Sequence, residues 1–504
     1  MGSIIAAAVT AFFETLRYDS VFRVLLMPIF LVVYSSLPLP LYAPELFLEC
    51  LDTQPADPGS RNSRAAVIPT DSSFSTNLMR AVRNLRFASA STRKPEAIVA
   101  AVTETHIRAT ISCCKHLNLE LKVRSGGHDY EGFSYTSPVP FVILDMYNFH
   151  KPLGELYYNI AKTSKGHAFP PECVLKSAPE DISAAEGSGI SRKYGLTIDH
   201  IIDAQIMDAD GRSTATDALW EKTVLGDSRA RRWQLRRDSA WMLKLVRVPE
   251  NATAFKLERT VEEGVIDLVH KWQQVAPLYL TEPDCMVKKW IDSVVFWAEY
   301  PENAPLEILL KRISVNESYW KRTSDFVQTP ISKLGIAKIF QTMIYHSPLP
   351  RRIASDETPF PHRAGNVFVI EHFMNWYAPG NELEEAFLAI SRSFKMAMTP
   401  FVSKNTREAF LNYRDVDIGI TTPGYNATFE KAKVYGEKYF KGNYLRLFQV
   451  KARFDPTNFF RSQQGFRFFI SLVINVLWGP DKSFIGCVFF LVLLVVIPIS
   501  KRSH

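Results

Sequence analysis

Nine residues, Arg124-Ser125-Gly126-Gly127-His128-Asp129-Tyr130-Glu131-Gly132, constrain this chain more than any other stretch. They follow a strand-like run, Leu119 to Val123, and precede another, Pro140 to Leu144. Adjacent glycines directly after a strand let the backbone turn tightly, with its N–H groups converging on one concave space. Such a nest suits a diphosphate. The histidine that follows sets an imidazole beside whatever binds there. Gly-Gly pairs are common, so this geometry alone leaves the ligand open.

The flanking pattern is that of an α/β nucleotide-binding half. A helix over Glu45 to Leu51 leads to a Pro/Ser/Asp-rich stretch, then a strand over Ala97 to Val102 and a helix from His106 to Leu117. Beyond the loop come a strand at Val142 to Asp145, a helix over Gly154 to Lys165 and a helix end at Lys193 to Leu196. A strand with a tight turn over Ile201 to Gly211 and a strand from Trp241 to Val248 follow. The middle has a strand near Phe255 and a helix through Trp272. Residues 301 to 375 are mixed, with a strand at Asn366 to Phe373. Helices at Glu382 to Met398 and Thr428 to Tyr439 precede an end motif, Asp455 to Arg461. No internal repeat is visible.

At 504 residues the chain accommodates two or three domains and a large core. Its 59 Lys+Arg against 52 Asp+Glu leave a mild +7. The one basic cluster, Arg229 to Arg237, lacks any nucleic-acid motif around it and reads as a solvated loop. No zinc spacing, Walker loop or Ser-His-Asp motif occurs, and His200 and His270 read as ordinary surface or core residues.

Arg17 and Arg23 flank an apolar run, Val24 to Tyr34, followed by Ser35 and Ser36. This reads as a signal peptide within residues 1–36, short for a spanning helix. Sequons at Asn251, Asn316 and Asn426 agree with export of a glycoprotein. Six cysteines fit an oxidising compartment without forming a disulfide scaffold. Cys285 reads as a buried small apolar residue. The tail, 465–504, contains an almost wholly apolar run from Phe484 to Ile499 ending in Lys501-Arg502. It reads either as a membrane anchor or as a segment outside the selected protein, and a membrane is a partner only in the first case.

The nine-residue loop resembles the flavin-binding loop of the plant berberine bridge enzyme-like family, FAD-linked oxidases. The resemblance runs from about Glu45 to Gln464. It includes Asn84-Leu-Arg-Phe87, Phe141-Val-Ile-Leu-Asp145, Gly154-Glu-Leu-Tyr-Tyr158, Arg192-Lys-Tyr-Gly-Leu196, Thr358 to Asn366, Thr399 to Asn405 and Asn412 to Asp417. It implies an α+β fold: a PCMH-type FAD-binding domain (45–252), an antiparallel-sheet substrate domain backed by helices (253–405), and a C-terminal segment (406–464) returning to the first domain. It also implies that Cys50 pairs with Cys113 or Cys114, Cys113 by preference.

Departures are sharp. An extra strand and turn between Asn148 and Pro152 are missing. The glycines expected after Phe169-Pro170, after Leu219-Trp220 and before Thr358 are replaced by Pro171 to Asp181, Gly226 to Arg237 and Ser347 to Ile353. Abrupt losses between close matches have the pattern of reading-frame or exon-edge shifts.

The resemblance assigns covalent FAD attachment to His128, and a second linkage through sulfur to Cys173, which stands one position short. The alternatives are a hydrogen-bonded loop histidine and a cysteine out of place. Arg124, Ser125, Gly126, Gly127, Asp129, Gly132 and Asn412 are expected to bind cofactor. Glu371, Tyr130 and Tyr413 are the expected catalytic residues: Glu371 matches a position occupied by a Glu base or a Gln, Tyr130 matches an active-site tyrosine, and Tyr413, with Asn412, matches a motif bordering the flavin. Their alternatives are a solvated strand carboxylate, a packing aromatic and a structural turn. The family's alcohol oxidases carry a lysine two residues before Glu371, where this chain has Val369.

The expected function is a secreted, cell-wall or vacuolar oxidase that moves a hydride from an alcohol, carbohydrate or alkaloid amine to flavin N5. Small-molecule substrate and O2 are its partners, with H2O2 as product; nucleic acid is not a partner. Two other readings stand beside it: a non-catalytic remnant unable to bind FAD, and a membrane-tethered binding protein.

Overall fold

The computed structural model describes residues 43–148, 153–164, 166–168, 194–215, 237–248, 260–279, 307, 318–340, 344–348, 355, 360–363, 365–421 and 428–465. The expected signal segment, the three sequons, Cys173, Cys285, the divergent stretches at 171–181 and 226–236, and the apolar run at 484–499 lie outside them. Among the described residues no helix is long and apolar enough to cross a membrane.

The chain enters through α1 (Ala43–Thr53), and α2 (Phe74–Met79) follows β1 (Ala66–Val67). Strands β2 (Ala97–Ala100), β3 (Glu120–Arg124) and β4 (Phe141–Asp145) complete a sheet of order β1-β2-β4-β3. β2 and β3 both run parallel to β4, and α3 (Glu104–His116) makes the crossover between them. β4 is buried along its whole length, because helices cover both sheet faces. On one face Val99, Val142 and Leu144 pack with Ile107 and Ile111 of α3 and with Phe47 and Leu51 of α1. On the other, Ile98, Phe141 and Ile143 pack with Phe74 and Leu78 of α2. Each such side chain contributes roughly 1.5–3 kcal/mol when fully buried. Cys50 and Cys113 form a disulfide that fastens α1 to α3, and burial pushes the neighbouring Cys114 thiol up.

Next come α4 (Leu153–Thr163), β5 (His167–Ala168), β6 (Ile201–Met207), β7 (Ser213–Ala215), β8 (Arg237–Leu243) and β9 (Val246–Arg247). The strand expected over Trp241 to Val248 is thus two strands. β8 pairs with β6, whereas β9 turns away to pair with β5.

The second sheet is antiparallel, in the order β10 (Tyr319–Val327), β12 (Phe368–Trp376), β11 (Ile344–Pro348). One face carries Val327, Phe368 and Ile370 against α5 (Val265–Tyr279) and α6 (Lys333–Phe340), through partners such as Trp272, Ile336 and Ile339. His372, on the same face by alternation, meets Phe394 of α7 (Asn381–Ala397) edge-on. The opposite face carries Val369, Glu371 and Phe373.

The C-terminal segment forms α8 (Phe429–Phe440), capped by the Thr428 hydroxyl, and α9 (Asn443–Phe454). Its end motif then turns back: Phe459 and Phe460 join the core beneath β2 and β4. Asp455 fixes that turn by accepting from the Phe459 and Phe460 amides at 2.7 and 2.9 Å and from Lys451 Nζ at 2.7 Å.

Candidate active site

The Gly-Gly loop leaves the carboxyl end of β3, and its conformation is set from below. Gly127 has φ +71°, and a Cβ there would overlap the Ala81 carbonyl oxygen, so glycine is required by both torsion and close approach. Arg83 Nε donates to the Gly126 carbonyl at 3.0 Å. Gly132 packs against the Phe87 ring. Ser125 and His128 are half-buried.

Two residues expected to touch cofactor have other work. Arg124 is fully buried: its guanidinium holds Asp145 at 2.6 Å and the Leu78 and Asn77 carbonyls at 2.8 and 2.7 Å. Burial would push the Asp145 carboxyl up, but Arg124 and Arg80 outweigh it and hold the carboxyl below its ordinary value. Asp129 accepts from the Glu131 and Phe133 amides at 3.0 Å each, and from Arg414 Nε at 3.0 Å. Both side chains therefore brace the loop rather than reach a ligand. A charged residue beside a glycine turn looks the same in sequence whether it points into the site or beneath it.

Across from the loop stands the open face of the antiparallel sheet. Tyr130 Oη donates to Glu371 Oε1 at 3.2 Å, although the two are 241 positions apart. Arg322 Nη1 donates to both, at 3.0 Å to Tyr130 Oη and 3.1 Å to Glu371 Oε1. The Arg322 guanidinium also lies over the Phe373, Tyr130 and Trp320 rings, 3.9 to 5.0 Å from their centroids. Such stacking suits a planar, weakly hydrated cation.

Glu371 is 9 % exposed, so the solvated-carboxylate alternative is excluded. Burial dominates and raises its proton affinity; Arg322 and the Tyr130 hydroxyl pull the other way without cancelling it. The Tyr130 ring stacks on Tyr413 at 5.6 Å and 8°, and Tyr413 meets Phe410 edge-on at 5.1 Å. Tyr130 is thus a packing aromatic and a hydrogen-bonding phenol at once. Asn412 and Tyr413 lie on a 3-10 turn, Leu411–Tyr413, beside this wall. Val369, at the position of the expected lysine, is buried with Phe326, Phe410 and Tyr413. The cation of this site comes instead from Arg322 on the neighbouring strand.

Arg322 and Trp320 are not legible as site residues in the sequence, because β10 carries no recognisable period. Its segment Tyr319-Trp-Lys-Arg-Thr-Ser-Asp-Phe-Val327 carries charged residues on both faces, and its ladder to β12 is what buries them. Lys321 is 2 % exposed between Glu131 at 2.5 Å and Asp415 at 2.8 Å. Behind the sheet, Asp325 takes Arg407 Nε and Nη2 at 2.6 Å each, with His372 Nε2 at 2.7 Å. Burial opposes charge on Asp325, yet the surrounding cations hold its carboxyl well below the usual range. His362 sits between Glu408 Oε2 at 2.7 Å and the Tyr439 carbonyl at 2.9 Å.

A family model described as berberine and berberine-like matches residues 409–467. Berberine bridge enzyme-like 16 of Arabidopsis thaliana is 60% identical over 532 residues, covering 88% of this chain and 97% of that protein. The chain belongs to the berberine bridge enzyme-like family. The solved structure of berberine bridge enzyme-like 28 from Arabidopsis thaliana has a TM-score of 0.73 at 29% identity, covering 84% of this chain and all of that one. Phl p 4, a grass pollen allergen with glucose dehydrogenase activity, has a TM-score of 0.73 at 28% identity over 83% of this chain and 99% of its own.

The architecture is therefore α+β: the PCMH-type FAD-binding fold plus the antiparallel substrate sheet with its helical backing. This family consists of FAD-dependent oxidoreductases. The donor set fits the ring end of FAD: an incompletely buried imidazole at His128, and a carboxylate, phenol and guanidinium grouped on an aromatic wall.

Proposed function

We propose that the chain is an FAD-linked oxidase acting on a hydroxyl or amine carried by a small molecule, with O2 as terminal oxidant. The supporting observation is the Tyr130–Glu371–Arg322 group, closed at 3.0–3.2 Å against the loop that carries His128. FAD, when bound, supplies the two-electron acceptor, so that an alcohol and O2 give a carbonyl compound and H2O2. His128 is the proposed covalent anchor, with Cys173 as a second. Ser125, Gly126, Gly127 and Asn412 are the proposed remaining contacts.

Glu371 acts as the base. Removing hydride from a carbinol carbon is easier as the hydroxyl proton leaves, and a desolvated carboxylate has the proton affinity to take it. Arg322 orients the carboxylate and favours its ionised form against the effect of burial. Tyr130 donates to the same oxygen, leaving Oε2 for substrate, while Tyr413 and Phe410 exclude water. The proposed division remains 45–252, 253–405 and 406–464, in a protein of the secretory pathway, extracellular or vacuolar. The Cys50–Cys113 bridge supports that compartment.

The test is the visible absorption of the purified protein before and after acid precipitation, for the wild type, H128A and C173A, with O2 uptake on alcohol, sugar and amine panels. Yellow pellets that lose colour in H128A, together with O2 uptake, are expected. A colourless protein would make it a relative that has lost its cofactor.

A further inference from the structure

We propose that Lys321 is a positioning residue that sets the mutual placement of Tyr130 and Tyr413, with the Arg414–Asp129 pair as a second tie between the same two segments. The inference rests on the reading above, in which those rings border the substrate beside Glu371.

The chain order makes the device visible. Tyr130 is flanked by Asp129 and Glu131; Tyr413 is followed by Arg414 and Asp415. Asp129 is tied directly to Arg414 at 3.0 Å. Glu131 and Asp415 carry like charge and cannot be tied directly. The Lys321 ammonium from β10 bridges them at 2.5 and 2.8 Å, with Asp417 at 3.5 Å. Thr323 Oγ1 adds a bond to the other Asp415 oxygen at 2.7 Å, and Arg86 approaches Glu131 at 3.6 Å. Tyr130 thus sits between two tied residues and Tyr413 directly precedes two, and the rings lie 8° from parallel.

Burial disfavours the charge on Lys321, but three surrounding carboxylates more than offset this and hold its ammonium protonated. Burial raises the Glu131 carboxyl, and Lys321 and Arg86 oppose that rise. Buried ion groups of this kind add little net stability over apolar replacements. Their effect here is geometric: Tyr130 reaches Glu371 only while the loop tip stays in register with the 413–415 turn.

The experiment uses the full-length flavoprotein and two variants, K321M and the charge-neutral K321M/E131Q/D415N. The second removes the unpaired carboxylates that could prevent the first from folding. The readouts are a crystal structure of each variant that folds, bound flavin, and the pH dependence of kcat/KM. L51A, in the core between α1 and α3, serves as a destabilised control.

Both Lys321 variants are expected to keep flavin, to lose the parallel Tyr130–Tyr413 stack, and to lose roughly 10–100-fold in kcat/KM. The acid limb should move to higher pH, since the Tyr130 bond that restrains Glu371 is broken, whereas L51A should lower only the melting temperature. Rings that remain stacked as in the wild type overturn the proposal, whatever the activity. Rings that part while the acid limb stays in place uphold the positioning role and overturn the assignment of Tyr130 and Glu371 to the substrate side.

Discussion

Replacing Gly127 with alanine should damage this protein more than the same change at any open left-handed glycine. Gly127 and Gly264 share nearly the same torsion, φ +71° and +80°. For an L residue that region costs about 1–2 kcal/mol. Roughly 0.4–1 kcal/mol returns because alanine restricts the unfolded chain. At Gly264 an added methyl would meet nothing within 4 Å, so G264A should cost on the order of 1 kcal/mol or less. At Gly127 the methyl meets the Ala81 carbonyl, a backbone atom that cannot rotate aside. Forcing a methyl into such a site adds typically about 1–3 kcal/mol. The net cost for G127A is then roughly 1–4.5 kcal/mol. The assay is the urea midpoint and melting temperature of both variants, with bound flavin followed by absorbance. G127A should unfold at clearly lower urea and lose flavin, because relief of the overlap moves the loop off Ala81. Equal midpoints for the two variants would refute the close-approach argument, and an intact flavin content in G127A would refute the coupling of this turn to the site.

If Glu371 is the base, E371Q should lower kcat/KM by about 10²–10⁴-fold and abolish the acid limb; an unaltered pH profile would remove it from that role. The limb itself should lie above the ordinary carboxylate value, since burial raises Glu371, and R322M should move it further up by removing the charge that favours the carboxylate. Breaking the Cys50–Cys113 bridge in C50S/C113S opens a closure of 63 residues and should cost about 4 kcal/mol in urea unfolding; an unchanged midpoint would mean α1 is not held by it. Burial opposes the charge on Glu408, but His362 and Lys441 outweigh this and bring its carboxyl down to about 2, from an ordinary 4.5. A depressed folded value stabilises the fold above pH 4.5, and the contribution disappears as pH falls toward 2. The melting gap between wild type and E408Q should therefore shrink between pH 6 and pH 3, and a constant gap would contradict the pairing.

The parallel sheet was readable because its strands and crossover helix carry uninterrupted local patterns. β2 and β4 carry apolar runs of four residues, β3 alternates apolar and charged residues over Leu119 to Val123, and α3 shows a helical period between β2 and β3; only their ends shifted by a residue or two. The loop could be recognised from its nine residues for the same reason: a tight turn at Gly127 is a local demand. The split of Trp241 to Val248 into β8 and β9 was not readable, since the break is imposed by two different partner strands. Nor was β10, whose charged residues look solvated until Asp415, Glu131, Arg407 and Glu371 close around them.

By itself, then, the sequence determined the family, the turn that carries His128 and the presence of Glu371 on a strand. Those properties depend on backbone torsion and on residues adjacent in the chain. Tertiary structure alone decided which charges belong to the site. Arg124 and Asp129, within four residues of the histidine in sequence, face the scaffold. Arg322 and Lys321, nearly 200 residues away, reach the loop tip because β10 pairs with β12 in a register that sets Ser324 opposite Glu371. The direction of a charged side chain is fixed by where its counter-charge lies, and only the folded chain brings the two together.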